Sequence, residues 1–365
     1  MPSRRLFYFI LGLLSCLCVA FGPPVLTDSD APRQALSPHQ IRLMRQVPLP
    51  SVSAAAVLLA DNRSGQILFT KNENERRAPA SLTKIVTALV ALQRGRQDQE
   101  IRVRNEDLRV YSVARLENGE KLTLRQLLFI MLIPSDNAAA LAIARGVAGD
   151  VPTFVRWMNE LVASWGLRNT HFVNPHGLDH KGQYSTAYDM AVIARRAMAN
   201  PTFADIVRRS RERVAGHFLE STNKLLTTYP GTIGVKTGTT DQAGECLVTV
   251  VDRLHGQALC VVMGSQDRFR DTWLLLDYFY ANFAELPVNL PETLQNRYLD
   301  EALVWHRLQL EQPFILLVKP WQLGMVSFYR RIDNLQANPS PDEPVGALEV
   351  RLGGKLLQEV PLYAR

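Results

Sequence analysis

The stretch Ala78-Pro79-Ala80-Ser81-Leu82-Thr83-Lys84 decides the expected fold and chemistry, because it sets a serine three positions before a lysine where an apolar pattern begins. Residues three apart lie on one helix face, so the Lys84 amine would stand one turn from the Ser81 hydroxyl. The apolar positions on the opposite side predict a buried central helix: Leu82, Ile85, Val86 and Leu89. A serine hydroxyl needs an adjacent base at neutral pH, so we expect Ser81 to be a nucleophile and Lys84 its base.

The same spacing also has a structural explanation, a serine that caps a helix beside a solvated lysine. It recurs in this chain at Ser221-Thr222-Asn223-Lys224. Context separates the two, because Ser81 opens an apolar helical pattern whereas Ser221 lies among strand and turn residues. Lys84 can act as a base only if its pKa falls, and we expect burial and a second cation, Lys236, to lower that pKa.

A second motif, Ser135-Asp136-Asn137, follows a proline and precedes an alanine-rich helical pattern. In a loop at a cleft, Ser135 would relay a proton toward a leaving amine, and Asn137 would hydrogen-bond a backbone amide of the substrate. A helix N-cap explains the same residues without catalysis.

The third motif is Lys236-Thr237-Gly238, followed by Thr239, and it comes after a stretch typical of an edge strand. Glycines in such a strand let another backbone approach closely, so a peptide substrate could add as an extra strand. The backbone N–H groups of Thr239 and Ser81 would then form an oxyanion hole. A basic strand end followed by a glycine turn is the alternative.

In order, spacing and flanking residues, the three motifs resemble those of the low-molecular-mass penicillin-binding proteins, the D-alanyl-D-alanine carboxypeptidases. Further stretches are similar to that family: Asn174-Pro175-His176-Gly177-Leu178-Asp179, Tyr184-Ser185-Thr186-Ala187-Tyr188-Asp189, Thr222-Asn223-Lys224-Leu225-Leu226 and Gly234-Val235-Lys236-Thr237-Gly238-Thr239-Thr240. The resemblance covers residues 51–283 closely and the remainder loosely.

The resemblance implies a penicilloyl-serine transferase fold, an α/β (α+β) domain with helices packed on a sheet, followed by a small domain resembling a β-sandwich. It implies that Ser81 attacks the penultimate D-Ala carbonyl of peptidoglycan stem peptides, that the terminal D-Ala leaves, and that water resolves the acyl-enzyme. β-Lactam antibiotics are the implied covalent inhibitors. No cofactor is implied.

Other site residues are implied by position in the family. Asn137, Lys236, Thr237, Gly238 and Thr239 would bind the substrate. A basic residue after the strand ending near residue 264 would contact the terminal carboxylate of the substrate. Arg270 fits that place best, and Arg268 is the alternative. Asp179 is at a loop position linked to deacylation in some members, although it could equally be a turn residue.

Three rival functions stay open. A β-lactamase would use the same motifs, but its Glu-x-x-x-Asn signature is absent near residues 160–177. A D,D-endopeptidase that cuts cross-links shares all three motifs. A penicillin sensor, acylated once without turnover, belongs to another class. Some relatives have histidine where this chain has Thr239, which bears on substrate handling.

The chain is expected to have four parts. Residues 1–22 contain Arg4-Arg5 and then an uncharged apolar run, typical of a signal peptide or N-terminal anchor of an exported protein, with possible membrane association. Residues 23–50 are a proline-containing linker. Residues 51–285 form the catalytic domain, with strands bracketing a helical middle, and residues 286–365 form a small β-rich domain.

Composition excludes some functions. The formal charge of +6 is dispersed without long basic runs, which argues against nucleic-acid binding. The seven histidines show no metal-ligand spacing such as His-Glu-x-x-His, so no metal site is expected. Cys246 and Cys260 are expected on neighbouring strands, as diagonal neighbours on one sheet face. Unpaired buried thiols and a disulfide are both compatible with that placement.

Overall fold

The computed structural model describes residues 48–254, 256–290 and 296–365. Within them the chain divides after Glu285 into two units, the second beginning at Leu286. The expected signal segment and nearly all of the expected linker lie outside the described residues. No single helix in the described ranges is long and apolar enough to cross a bilayer, and one pair of helices bent by 89°, Asn137–Ala148 with Val151–Ser164, meets that test only when taken together.

Eight α-helices are described in the first unit: α1 Thr83–Arg94, α2 Leu124–Leu132, α3 Asn137–Ala148, α4 Val151–Ser164, α5 Ala187–Met198, α6 Pro201–Val207, α7 Leu225–Thr228 and α8 Arg268–Asn282. Its strands are β1 Ala56–Asp61, β2 Ile67–Lys71, β3 Glu100–Arg102, β4 Lys121–Thr123, β5 Arg211–Val214, β6 His217–Glu220, β7 Thr232–Thr240, β8 Gly244–Arg253 and β9 Gly256–Ser265. A further strand, β10 Ala284–Val288, begins in the last two residues of this unit and continues into the second. Strands therefore bracket a helical middle, which confirms the α+β expectation.

The main sheet is antiparallel in the order β2-β1-β9-β8-β7, so β7 lies at an edge. Alternate residues of β8 enter two apolar layers, because successive side chains of a strand point to opposite faces. Val248 and Val250 belong to the layer with α1 to α6, whereas Leu247 and Val251 pack toward α8. The expected edge strand is confirmed, and it offers an open row of backbone groups.

Cys246 and Cys260, the cysteines within the described residues, are free and buried, but they do not share a face. Cys246 belongs to the apolar layer under the helical middle, and Cys260 to the layer under α8. Their expected placement as diagonal neighbours on one face was wrong. Arg253 pairs with Gly256 and Thr249 pairs with Cys260, so the residue opposite Cys260 is three positions along β8 from Cys246. Because successive strand residues point to opposite faces, an odd separation places the two thiols on opposite sides of the sheet.

Helix α1 is the central helix predicted from the first motif. Leu82, Ile85 and Val86 are fully buried, and full burial of such a side chain stabilises the fold by about 1.5–3 kcal/mol. At α2 the Thr123 hydroxyl accepts from the Gln126 N–H at 3.2 Å, and the Gln126 side-chain oxygen accepts from the Thr123 N–H at 2.8 Å. This reciprocal cap fixes where α2 begins.

The second unit is β-rich, as expected. Its strands after β10 are β11 Arg297–Leu299, β12 Trp305–Leu310, β13 Phe314–Val318, β14 Val326–Ile332, β15 Pro344–Leu352 and β16 Lys355–Ala364. Five of them form a sheet in the order β11-β12-β16-β15-β14, and β10 pairs with β13. Its buried core contains Leu308, Leu348 and Leu362.

Candidate active site

Ser81 lies on a short 3-10 turn, Ala80–Leu82, immediately before α1. Two glycines pack closely against this turn. A Cβ on Gly177 would come within 1.9 Å of the Ala80 carbonyl oxygen, and one on Gly238 within 2.9 Å of the Ser81 nitrogen. Glycine at both positions therefore lets the loop around residue 177 and strand β7 close on either side of Ser81.

Lys84 reaches back along the helix to Ser81, as the spacing predicted. Its fully buried Nζ lies 2.7 Å from each of three oxygens: Ser81 Oγ, Asn137 Oδ1 and the His176 carbonyl. Two of these partners can only accept, and the serine hydroxyl alone has a proton to give. When Lys84 is neutral, its two N–H groups satisfy the acceptors and its lone pair faces the Ser81 proton.

Burial lowers the pKa of Lys84 to about 7, with the Asp136 carboxylate opposing the shift. The pKa of Lys236 is also held well below its ordinary range, by burial and then by the charges of Lys84 and Arg268. Desolvation is the main cause that makes Lys84 available as a base near neutral pH, and the two buried lysines disfavour each other's charged form.

The second motif is organised by its middle residue. Asp136 is fully buried, and its carboxylate accepts from Ala139 N at 2.8 Å as the N-cap of α3. The other oxygen accepts from Ser112 Oγ at 2.8 Å and Ala114 N at 2.9 Å. Ser135 has a φ of 69°, a strained value for serine that the anchored neighbour holds in place. The capping explanation therefore applies to Asp136. Ser135 and Asn137, on either side of it, remain available for the roles predicted for them in the cleft.

The third motif lies on the edge strand β7. Lys236 is buried and donates to the Thr237 carbonyl at 2.9 Å. The Thr237 and Thr222 hydroxyls are hydrogen-bonded to each other, and Asn223 Nδ2 donates to the Gly234 carbonyl at 3.2 Å. The segment containing Ser221 therefore supports β7.

The two candidate arginines occupy different places. Arg268 Nη1 donates to the Gly238 carbonyl at 2.8 Å, and its Nη2 donates to the Thr239 hydroxyl. Arg268 also pairs with Glu245 at 3.1 Å. The exposed Arg270 instead lines a surface groove beside this cluster. The structure therefore brings the alternative candidate, Arg268, to β7 and leaves the favoured one outside.

The loop of residues 174–183 completes the site, and sequence reasoning had given no role to its His176. Thr87 Oγ1 donates to the Pro175 carbonyl at 2.6 Å, which holds the His176 carbonyl over α1. Asp179 accepts from Thr240 Oγ1 at 2.6 Å and joins the loop to the end of β7. The motif Asn174-Pro175-His176-Gly177 marks this loop in the sequence. The role of the His176 carbonyl could not be predicted from it, because every residue has a backbone carbonyl.

This geometry agrees with comparisons to known proteins. Residues 43–267 match the family described as D-alanyl-D-alanine carboxypeptidase, peptidase family S11. The chain belongs to the D-alanyl-D-alanine carboxypeptidase family. It is 29% identical to D-alanyl-D-alanine carboxypeptidase DacF of Bacillus subtilis over 97% of this chain and 92% of that protein. With DacC of Escherichia coli it is 30% identical over 89% and 87% of the two chains.

Solved structures place this carboxypeptidase-family chain in the same fold. Penicillin-binding protein 5 of Haemophilus influenzae superposes with a TM-score of 0.75 at 27% identity, covering 87% of this chain and 98% of that one. A Streptomyces K15 DD-transpeptidase variant gives a TM-score of 0.59 at 32% identity over 63% and 98% of the two chains. The penicilloyl-serine transferase fold is thereby confirmed. In the described ranges no group of three or more His, Cys, Asp and Glu side chains could hold a metal ion.

Proposed function

We propose that the chain removes the terminal D-Ala from peptidoglycan pentapeptides through an acyl-enzyme on Ser81, and that β-lactams inhibit it by acylating the same serine. The Lys84 amine at 2.7 Å from the Ser81 hydroxyl carries the proposal, because its other two partners leave the lone pair for that proton. The family membership supports the carboxypeptidase reaction and penicillin binding.

Acylation begins when Lys84 takes the Ser81 proton as the oxygen bonds to the penultimate D-Ala carbonyl carbon. The negative charge on the carbonyl oxygen is stabilised by the N–H groups of Ser81 and Thr239, which the close approach of Gly238 to Ser81 N supports. Ser135 relays the proton held by Lys84 to the leaving nitrogen, the C–N bond breaks, and D-Ala departs. A water molecule then gives its proton to Lys84 as its oxygen bonds to the ester carbonyl carbon, the ester C–O bond breaks, and the Ser81 oxygen takes the proton back.

Recognition of the substrate uses the edge of the sheet. The peptide adds antiparallel to β7, where Lys236, Thr237 and Gly238 line the cleft, and Asn137 contacts its amide. The terminal carboxylate binds near Thr237 and Thr239, where Arg268 supplies the positive charge. Arg268 replaces Arg270 in this role because its guanidinium contacts the Thr239 hydroxyl. A guanidinium offers a carboxylate paired donors, a contact that a neutral group cannot make.

The N-terminal segment supports export. Its charged start and apolar run are typical of a signal or an anchor, so the catalytic unit would act outside the cytoplasm, in the periplasm or at the outer face of the cytoplasmic membrane. An uncleaved segment would also give membrane association. Peptidoglycan is found on that side, which agrees with the cell-wall substrate of the family.

The test incubates the purified full-length protein with a pentapeptide ending in D-Ala-D-Ala. We expect loss of one alanine over many turnovers, measured by mass spectrometry, and covalent labelling by a fluorescent penicillin. A protein that is labelled once and releases no D-Ala would instead be a penicillin sensor. Hydrolysed penicillin in excess over enzyme, without D-Ala release, would indicate a β-lactamase.

A further inference from the structure

Thr87 links α1 to the loop that completes the active site. It is fully buried one helical turn beyond Lys84, so the two side chains share a face of the helix. Its Oγ1 lies 2.6 Å from the Pro175 carbonyl oxygen, but 3.4 Å from the carbonyl oxygen of Thr83 in its own helix. A threonine inside a helix commonly bonds the carbonyl four residues back. The shorter contact shows that this hydroxyl proton is given to the loop instead.

The carbonyl that Thr87 holds is next to the one that contacts Lys84. Pro175 and His176 are consecutive, and the His176 carbonyl accepts from Lys84 Nζ at 2.7 Å. The Pro175 carbonyl and the Cα of His176 belong to one planar peptide unit. Displacing the Pro175 carbonyl therefore displaces the residue whose own carbonyl contacts the base.

Other contacts of this loop hold its N–H groups. Asn174 Oδ1 accepts from the N–H groups of His176 at 3.3 Å and Gly177 at 2.7 Å. Gln183 Oε1 accepts from the N–H of Asn174 at 3.0 Å. These contacts shape the loop from within, whereas Thr87 attaches one of its carbonyls to α1, the helix of the base.

The His176 carbonyl affects the amine of Lys84 in two ways. With the Asn137 oxygen it accepts the two protons of the neutral amine, so it sets the direction of the lone pair that faces Ser81. It also stabilises the protonated amine, because an acceptor binds a charged donor more strongly than a neutral one. Moving this carbonyl away should therefore slow proton transfer from Ser81 and lower the pKa of Lys84 further.

The charged and titratable groups that face the Lys84 amine come from three other elements. Asp136, at the start of α3, raises the pKa of Lys84, and Lys236, on β7, is buried within reach of its charge. The ring of His176 has a pKa lowered to about 4 by burial and then by the charge of Lys84, so it is neutral near pH 7. Replacing the uncharged Thr87 alters none of these groups, so a changed ionisation of Lys84 would report the displaced carbonyl.

We propose that Thr87 is a positioning residue for the general base, which holds the His176 carbonyl against Lys84 and so directs the lone pair of the amine at the Ser81 proton. The proposal rests on the proposed function, because that function assigns Lys84 the role of base. Thr87 acts through the loop carbonyl and not on the reacting atoms. Loss of its hydroxyl should change the rate and the pH dependence of acylation while every catalytic group stays in the protein.

The test measures the rate constant for acylation of the full-length protein by a fluorescent penicillin between about pH 5 and pH 9. Valine has the shape of threonine but places a methyl group where the hydroxyl lies 2.6 Å from the Pro175 oxygen. A carbon and an oxygen need about 3.3 Å, so the loop must move away. Thr87→Val should lower the plateau rate by between about ten- and a hundredfold. The midpoint of the rise with pH should move about one pH unit lower.

Two further variants at this position separate the hydroxyl from the space it fills. Thr87→Ser keeps the hydroxyl and should return the rate to within about threefold of the wild type. Thr87→Ala removes the hydroxyl without adding a contact to the loop, and it should lower the plateau as Thr87→Val does.

Thr249→Val is the matched control, because it also replaces a fully buried threonine with valine. Within the described residues the Thr249 hydroxyl has no hydrogen-bond partner. Thr249 lies on β8 opposite Cys260, on the side of the sheet toward α8. Its variant should keep the wild-type rate and midpoint, and thermal unfolding of all variants checks that they fold.

The outcomes separate the two proposals. A Thr87→Val protein labelled at the wild-type rate with an unchanged midpoint overturns the positioning role alone, and so does a Thr87→Ser protein as slow as Thr87→Val. A midpoint at higher pH also overturns it, because the substitution would then have let water reach Lys84. Equal losses in Thr249→Val would show a general effect on the fold and overturn it too. If the wild type is not labelled and releases no D-Ala, the proposed function itself fails.

Discussion

The amine of Lys84 lies 2.7 Å from the side-chain oxygen of Asn137, and this contact joins the beginning of α1 to the beginning of α3. The Asn137 oxygen and the His176 carbonyl together accept the two protons of the neutral Lys84 amine. Activation of Ser81 therefore depends on the protonation state of one buried lysine and on two acceptors that are far apart in sequence.

The acylation rate should follow the ionisation of Lys84. Its pKa is lowered to about 7, so below that pH the amine is protonated and cannot accept the serine proton. The rate constant for acylation by a fluorescent penicillin should rise about tenfold per pH unit below 7 and level off above it. Lys84→Ala should lose about a thousandfold above pH 7, and its rate should no longer rise through that pH, so the difference from the wild type should shrink at lower pH. A flat wild-type profile would exclude Lys84 as the base.

Ser81→Ala should abolish penicillin labelling and D-Ala release, since no other group can form the acyl-enzyme. Ser221→Ala is the matched control, because it has the same Ser-x-x-Lys spacing, and it should retain labelling. Circular dichroism and thermal unfolding check that both variants fold. Labelling of the Ser81→Ala protein at Ser221 would refute the choice of nucleophile.

Arg268→Ala should impair cleavage of a free D-Ala-D-Ala terminus more than acylation by a neutral ester. Losing a charge-assisted contact costs about 1.5–3 kcal/mol, or roughly ten- to a hundredfold in kcat/KM. Arg270→Ala is the control, two positions along α8, and should change neither reaction. Equal losses with the free D-Ala-D-Ala terminus and with the ester would mean that Arg268 only stabilises β7, through its hydrogen bond to the Gly238 carbonyl.

Glu285 should make stability depend on pH. Burial, and then its hydrogen bond with the Asp61 carboxyl, raise the pKa of Glu285 to about 7. A raised pKa means that the folded state favours the protonated carboxyl. This contribution is complete below the unfolded pKa and is lost as pH rises through about 7.

Glu285→Gln keeps a neutral group at that site, so its free energy of unfolding should fall less than that of the wild type between about pH 5 and pH 8. Denaturant unfolding at both pH values measures the difference. Glu220→Gln, at a carboxylate exposed on β6, should follow the wild type. Parallel curves for Glu285→Gln and the wild type would show that Glu285 is ionised throughout.

The N-terminal segment makes a prediction of its own. If it is a cleaved signal, the mature protein should begin near Phe21 and be found outside the cytoplasmic membrane. Mass spectrometry of the N-terminus of the protein from cell fractions measures this. An intact Met1 in the membrane fraction would show an anchor, and a cytoplasmic full-length protein would contradict export.

Local pattern was sufficient to predict much of the scaffold. The sequence pattern of residues 187–198 predicts a helix ended by Asn200-Pro201, and α5 has these bounds; Thr123 with Gln126 has the pattern of a capping box, and the structure confirms it. The apolar pattern of residues 273–283 predicts a helix that begins at residue 273, whereas α8 begins at Arg268. Its first turn is polar and begins after Asp267, so it lacks the apolar periodicity that marks a helix.

The sequence by itself determined the three motifs and the one-turn reach from Lys84 to Ser81, because helical spacing is a local property of the backbone. Only the tertiary structure decided between the arginines. Residues two apart on a helix are rotated by about 200° about the helix axis, so their side chains point to nearly opposite sides. Helix α8 therefore presents Arg268 to β7 and directs Arg270 into the surface groove. The pairing register of β8 with β9 also placed the two cysteines on opposite faces of the sheet, and the packing of the loop of residues 174–183 brought the His176 carbonyl to Lys84. These features depend on how distant segments pack, and no local pattern encodes that packing.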